Sequence, residues 1–289
     1  MNWALRSSPI VSEWWEKQDI RGQGISIALL GTGVLPTHPD LQGAIKGAFS
    51  FDGSDITENP TNIGTQAALM VAARGYYSYG IAPEANLLIG KIGRNEREIR
   101  AAGLLAGLSW ALDNGADIVA MLLDFRELSS SESAAMEDMI QTARSRKVLL
   151  MAPVGNATGP KPETRFPAAL NGVLCVGVHD SNSQHSTFSA RSYHLDVLAP
   201  GEDLTLPEPN GDYRLNLRDT ALATAFMAGV AALIKADFSR RGKIFDPAEI
   251  VGLLRDTAIP HKNITKGSDV EYGHGIFSAD NLLQVLRHE

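Results

Sequence analysis

The chain has little of what most quickly assigns a function. It carries a single cysteine, Cys175, so no internal disulfide can form. Cys175 sits in the apolar run Val173-Leu174-Cys175-Val176, the setting of a buried structural thiol rather than a reactive one. There is no long run of like charge. The net charge of −7 is spread along the sequence, which argues against a nucleic-acid or anionic-membrane surface. None of the seven histidines stands in an HExxH or comparable metal spacing, and no glycine loop ends in Gly-Lys-Ser/Thr. The opening residues Met1-Asn2-Trp3-Ala4-Leu5-Arg6 are not a basic region followed by an apolar stretch, so no signal peptide is expected. No apolar run approaches the roughly 20 residues of a membrane span. These absences together predict a cytoplasmic protein with no cofactor, no metal, no nucleic-acid partner and no membrane contact.

What is present is the composition of a folded domain, with 44% hydrophobic and 20% charged residues, and enough length for a substantial core. Strand-like apolar runs (25–30, 87–92, 117–123, 147–152, 173–178) alternate with helix-like segments (65–73, 99–114, 132–146). Such alternation predicts an α/β fold with a parallel sheet covered on both faces. The segment 220–237 is apolar almost all round, which predicts a central, buried helix. Asp246-Pro247 opens another helix with a cap and a first-position proline. No internal repeat and no domain linker is apparent; Pro160-Lys161-Pro162 and the 207–211 stretch read as surface loops. The expected organisation is one domain, 1–289, with an N-terminal extension at 1–20 and a core at 21–287.

One motif suggests nucleotide binding and fails on physical grounds. Gly31-Thr32-Gly33 follows a strand and Asp52 lies about 20 residues on, a dinucleotide-like pattern. That motif works by opening a helix whose N-terminus receives the pyrophosphate. Pro36 and Pro39 disfavour the required helix.

Several ordered segments carry a different resemblance. Gly22-Gln23-Gly24-Ile25-Ser26-Ile27-Ala28 leads into Thr32-Gly33-Val34 and His38-Pro39-Asp40-Leu41. Further on come Gly64-Thr65, Gly80-Ile81-Ala82-Pro83, Ala152-Pro153-Val154-Gly155-Asn156 and Phe188-Ser189-Ala190. Leu195-Asp196-Val197-Leu198-Ala199-Pro200-Gly201, Thr224 with Gly229-Val230-Ala231-Ala232-Leu233, and Tyr272-Gly273-His274-Gly275 complete the series. In this order and spacing the chain resembles the subtilisin-like serine proteases (subtilases, peptidase family S8) from about residue 18 to 286. The resemblance implies a three-layer αβα fold with a mainly parallel, seven-stranded sheet.

It also implies positions for a catalytic triad, and none holds the expected residue. The aspartate position falls on Gly31, the histidine position on Ile63 and the serine position on Ala221, while the oxyanion-type asparagine is retained as Asn156. The mechanism needs a hydroxyl, an imidazole to take its proton and a carboxylate to orient the imidazole. In subtilisin, losing the serine or histidine alone lowers turnover by about 10⁶-fold. With the histidine gone, a buried aspartate would be an unpaired charge, and glycine removes it. The resemblance therefore implies a pseudoprotease in which all three positions changed together. Its former groove, represented by Leu122, Leu123, Asp124, Gly155, Asn156, Asp219 and Thr220, is expected to bind a peptide or protein segment. An active protease or a biosynthetic enzyme is a second kind of partner. The alternatives are a weakly active or relocated-site endopeptidase, with His179-Asp180 or His185-Ser186-Thr187 as the local candidates, and a structural subunit. Asp124 and Asp219 are expected either to form an acidic pocket for a Lys or Arg side chain or to be ordinary capping and solvated carboxylates, Asp219 serving as a helix N-cap. The turn Arg74–Tyr79 is shorter than the calcium-binding loop of many subtilases and lacks carboxylate and asparagine side chains, so no calcium is expected there. Its three tyrosines are expected to pack over the sheet edge, a contact surface being the alternative.

Overall fold

The apolar runs form strands whose successive side chains feed two separate cores. The computed structural model describes residues 3–6, 9–57, 63–95, 98–157, 159–261 and 269–288. Strands β1 (Ser26–Gly31), β2 (Ile45–Ser50), β3 (Asn86–Lys91), β4 (Ile118–Met121), β5 (Leu149–Pro153), β6 (Val173–His179) and β7 (Val197–Pro200) make one sheet in the order β2-β3-β1-β4-β5-β6-β7. Every neighbouring pair is parallel. Burial on both faces explains why the strands read as continuous apolar runs rather than alternating ones. Only the edge strand β2 alternates, with Phe49 half exposed.

Helices α1 (Trp3–Arg6), α2 (Ile63–Ala72), α3 (Ala101–Asp113), α4 (Ser130–Ser145), α5 (Thr220–Arg240), α6 (Pro247–Asp256) and α7 (Ala279–His288) complete the layers. On one face Ile27, Leu29, Ile118, Met151 and Val176 meet α2, α5, α6 and α7. On the other, Ala28, Leu30, Val119, Leu150 and Cys175 meet α3 and α4. Burial, followed by the nearby Asp196 charge, pushes the Cys175 thiol well above its ordinary range, as suits an inert structural thiol. A two-stranded antiparallel hairpin, β8 (Leu204–Pro207) and β9 (Tyr213–Leu217), stands apart from the main sheet.

The 21-residue helix α5 is long and apolar enough to cross a membrane, a property that the run-length reading of the sequence overlooked. Nearly all of it is buried inside this fold, which accounts for its composition. Gly229 lies where α5 passes Ile81, and a Cβ there would come within 2.6 Å of the isoleucine Cβ. Glycine at this point sets the spacing between α5 and the turn that precedes β3.

Residues 1–20 do not behave as an appendage. Of these, residues 1, 2, 7 and 8 lie outside those described. Leu5 on α1, together with Ile10 and Trp14 on the π-helical turn Ile10–Glu16, is buried in the same core as α5. Trp15 Nε1 donates to the Ile81 carbonyl at 3.2 Å, while Trp14 Nε1 is buried with no acceptor among the described residues. Trp14→Ala is expected to cost about 3–5 kcal/mol in a denaturant titration, the usual price of deleting a large buried ring. Trp14→Phe should cost less than half as much, because it keeps most of the ring and removes an unpaired N–H.

Candidate functional site

Because the seven strands are parallel, all their carboxyl ends open on one edge, where ligands of such sheets bind. Gly31 ends β1, Leu122–Asp124 follow β4, and Val154–Asn156 follow β5. The first residues of α2 and α5, Ile63 and Thr220, reach the same edge. Together they enclose a cavity of about 150 Å³ lined by Ile63, Leu122, Leu123, Asp124, Pro153, Asn156, Arg165, Asp219, Thr220 and Ala221. The histidine and serine positions of the resembled triad thus face one cavity as Ile63 and Ala221. Gly31 lies beneath it: a Cβ on Gly31 would touch Leu122 Cβ at 3.4 Å.

Asp124 and Asp219 both line this cavity, and both are already engaged. Arg165, only 7% exposed, donates from Nη1 to Asp124 at 2.6 Å and from Nη2 and Nε to Glu163 at 2.6 and 2.8 Å. Burial works against the charged guanidinium, but the two carboxylates more than offset it and hold its pKa above the usual range. The paired bonds Phe125 N to Phe166 O and Phe166 N to Phe125 O hold the two loops side by side. Gly155, at φ +96°, leaves the room the ion pair needs, since a Cβ would come 3.1 Å from both Arg165 Cγ and Asp124 Oδ2. An acidic pocket waiting for a cationic side chain is therefore not what the geometry offers, because the chain supplies its own cation. Arg165 and Glu163 were not among the residues singled out from sequence. They sit in a proline-containing, polar stretch with no local signal beyond that of a surface loop.

Asp219 caps α5 as its sequence position suggests, its Oδ1 accepting from Ala221 N at 2.8 Å. Its second oxygen, Oδ2, accepts from Asn156 Nδ2 at 3.1 Å. Asn156 Oδ1 accepts in turn from Thr220 N at 3.1 Å and Thr220 Oγ1 at 2.9 Å. The other hydroxyl at this helix start, Thr224 Oγ1, donates to the Thr220 carbonyl. Neither threonine hydroxyl is directed at an imidazole.

The local candidates for relocated chemistry lie elsewhere. His179 Nδ1 faces the Asp180 carbonyl at 2.9 Å. His185 Nδ1 lies 3.6 Å from Glu271, which also accepts from Arg191, while the His185 Nε2 is buried without a partner among the described residues. Ser186 Oγ is likewise buried and unpartnered, so no serine–histidine hydrogen bond forms between these neighbours. After Gly31-Thr32-Gly33 the chain makes only a short 3₁₀ turn, Pro39–Leu41, and offers no helix N-terminus to a phosphate. Asp40, fully buried, accepts from the backbone of Tyr76 and Tyr77 at 2.6 and 3.0 Å and from Ser78 at 3.2 Å. These backbone donors satisfy the carboxylate beside the short turn. Tyr79 packs edge-on against Trp15, but Tyr76 is 70% exposed, contrary to the expectation that all three tyrosines pack down. The bonds to Asp40 hold the turn by its backbone and leave that ring outside. Among the described residues no group of three His, Cys, Asp or Glu side chains is placed to hold a metal ion.

A model of the subtilase family matches residues 22–275, which include every element of this cleft. The chain belongs to the subtilase family. Subtilisin BL and Subtilisin Savinase of Lederbergia lenta are each 31% identical over 264 residues, covering 90% of this chain and 91% of theirs. Among solved structures, the prenylagaramide maturation protease PagA superposes with a TM-score of 0.81 at 26% identity, over 96% of this chain and 99% of its own. The patellamide maturation protease PatA gives 0.77 at 28% identity, over 92% and 98%. The seven-stranded αβα architecture is that of the family, and these relatives are proteases.

Two outcomes follow for this subtilase. Arg165→Met leaves two carboxylates facing each other without their cation. Removing one partner of a fully buried pair costs about 3–5 kcal/mol. Asp124 and Glu163 keep partial contact with solvent, so a loss of about 2–3 kcal/mol is expected in urea unfolding. His185 is held neutral in the fold: burial, with help from Arg191 and against Glu271 and Asp269, lowers its pKa from 6.5 to about 4. The unfolded chain takes up that proton first as pH falls, so the contribution is intact above pH 6.5 and is lost progressively toward pH 4. The loss amounts to about 3 kcal/mol. The same unfolding measured at pH 7 and pH 4 should show it, and His185→Gln should shrink the difference between the two.

Proposed function

We propose that this protein is a catalytically inactive subtilase, a pseudoprotease that holds a peptide or protein segment in the former substrate cleft. The observation that carries this reading is the composition of one cavity: Ile63 and Ala221 line it and Gly31 lies beneath, where the family's mechanism requires imidazole, hydroxyl and carboxylate. Gly, Ile and Ala provide no proton acceptor and no nucleophile. The remaining hydroxyls at the start of α5 are spent on Asn156 and on the helix backbone.

Binding an extended peptide needs none of these groups, because main-chain hydrogen bonds along a groove supply affinity. PagA and PatA are maturation proteases, and a protease cleft receives a peptide chain, which favours a peptide, or an active protease or biosynthetic enzyme presenting one, as the partner. Since Arg165 already neutralises Asp124, the cleft is not proposed to select Lys or Arg side chains. The competing reading is a weakly active or relocated peptidase. It draws on the relatives being proteases, and it has to find a nucleophile that the cleft lacks.

The deciding experiment is long incubation with an unfolded protein substrate, followed by mass spectrometry against a matched blank. No new fragments are expected. Fragments that recur, and that vanish on a point substitution in this chain, would overturn the reading. If they vanish with Asn156→Ala, chemistry persists in the old cleft; if they survive it, the chemistry has moved.

A further inference from the structure

The two donors that meet at the start of α5 are already bonded to an anion, and the anion belongs to this chain. Asn156 Nδ2 stands 3.1 Å from one oxygen of the Asp219 carboxylate, and Ala221 N stands 2.8 Å from the other. A side-chain amide and a backbone N–H that each take one oxygen of the same carboxylate are the kind of donors that make up an oxyanion hole, which stabilises the charge that develops on a substrate carbonyl. Ala221 N is also one of the N–H groups of the first helical turn that lack a partner within the helix, at the positive end of a 21-residue dipole. Asn156 is oriented from behind, because its Oδ1 accepts two bonds from Thr220 and so its Nδ2 must point forward.

The geometry points to Asp219 as a built-in occupant of this hole, a specificity-determining residue that closes the cleft to external carbonyl and carboxylate oxygens. An incoming oxygen would have to displace a carboxylate that is tethered beside both donors, and the tether gives it a high effective concentration. A segment held in the cleft therefore lies across it without lodging a carbonyl between Asn156 and Ala221. The inference deepens the non-catalytic reading of the same cleft and rests on it for the orientation of the bound segment, while the occupancy itself is measured independently of any turnover.

The test removes the tethered carboxylate and offers a free one. Acetate is titrated into isotope-labelled unaltered protein, Asp219→Ala and Asp219→Ser, with the Ala221 backbone amide and the Asn156 side-chain amide followed by NMR. Asp219→Ser keeps a capping oxygen for α5 and guards against loss of the fold in the alanine variant. In the unaltered protein neither resonance is expected to respond. In Asp219→Ala both should move saturably as acetate takes the vacated place. In Asp219→Ser only the Asn156 amide should move, because serine still caps Ala221 but is too short to reach Asn156. Equal responses in all three proteins would overturn the proposal, since the hole would then be open without substitution. A folded Asp219→Ser variant in which acetate moves neither resonance would overturn it as well, since no anion hole would be there to fill. Fragments in the substrate assay with an acetate response as expected would sink the non-catalytic reading and leave the occupancy standing.

Discussion

The organisation of the cleft depends on where α5 begins. That helix is buried along nearly its whole length, held close to the turn before β3 by Gly229, and its first turn is fixed by the Asp219 cap. A cap of this kind is worth about 1 kcal/mol in general, yet here it does more than stabilise a helix end. It sets Ala221 beside Ile63, and Asn156 completes the arrangement through three hydrogen bonds that join β5's following loop to the start of α5. Were α5 to start one residue later, the Asp219 carboxylate would leave Asn156 and the cavity wall would lose its polar half.

A second polar unit closes the opposite wall. Arg165 is almost wholly buried and bonded to two carboxylates on different loops, with Gly155 providing the space. Such an arrangement gains little stability over an apolar replacement, because both charges are drawn from water. What it fixes is register: the loop carrying Glu163 and Arg165 can seat itself against the loop carrying Asp124 in one way only. The cleft is thus bounded by groups that bond to each other.

Much of this was legible in sequence, for identifiable reasons. Five of the seven parallel strands announce themselves because each is buried on both faces, and α5 because it has no polar side, whereas the short buried strand β7 was not read as one. The positions Gly31, Ile63 and Ala221 stand out because the residues around them keep their family spacing. The edge strand β2 and the hairpin β8–β9 escaped notice because partly exposed strands of mixed polarity look like loop. The packing of Ile10 and Trp14 into the main core was missed because a short π-helical turn follows neither a 3.6-residue nor a two-residue period. Arg165 was missed for a different reason. Its partners lie 41 and two residues away, and nothing in the polar stretch that carries it distinguishes a buried arginine from a solvated one.

The apolar and polar halves of the site answer the same physical problem in opposite ways. On the proposed reading, a carboxylate at position 31 without its imidazole would have to be buried against Leu122, and that costs several kcal/mol. Glycine at 31 and isoleucine at 63 avoid the cost by removing polarity. At the start of α5 that solution is not available, because the N–H groups of a helix terminus belong to the backbone and cannot be substituted away. The Ala221 amide at this helix end converges with the exposed Asn156 amide, and the backbone donor there needs an acceptor. The Asp219 carboxylate meets that need with one side chain that satisfies both and whose charge suits the helix dipole. Under the proposed non-catalytic reading, Gly31, Ile63 and Asp219 are one adjustment, with apolar packing where polarity is dispensable and an internal anion where it is not.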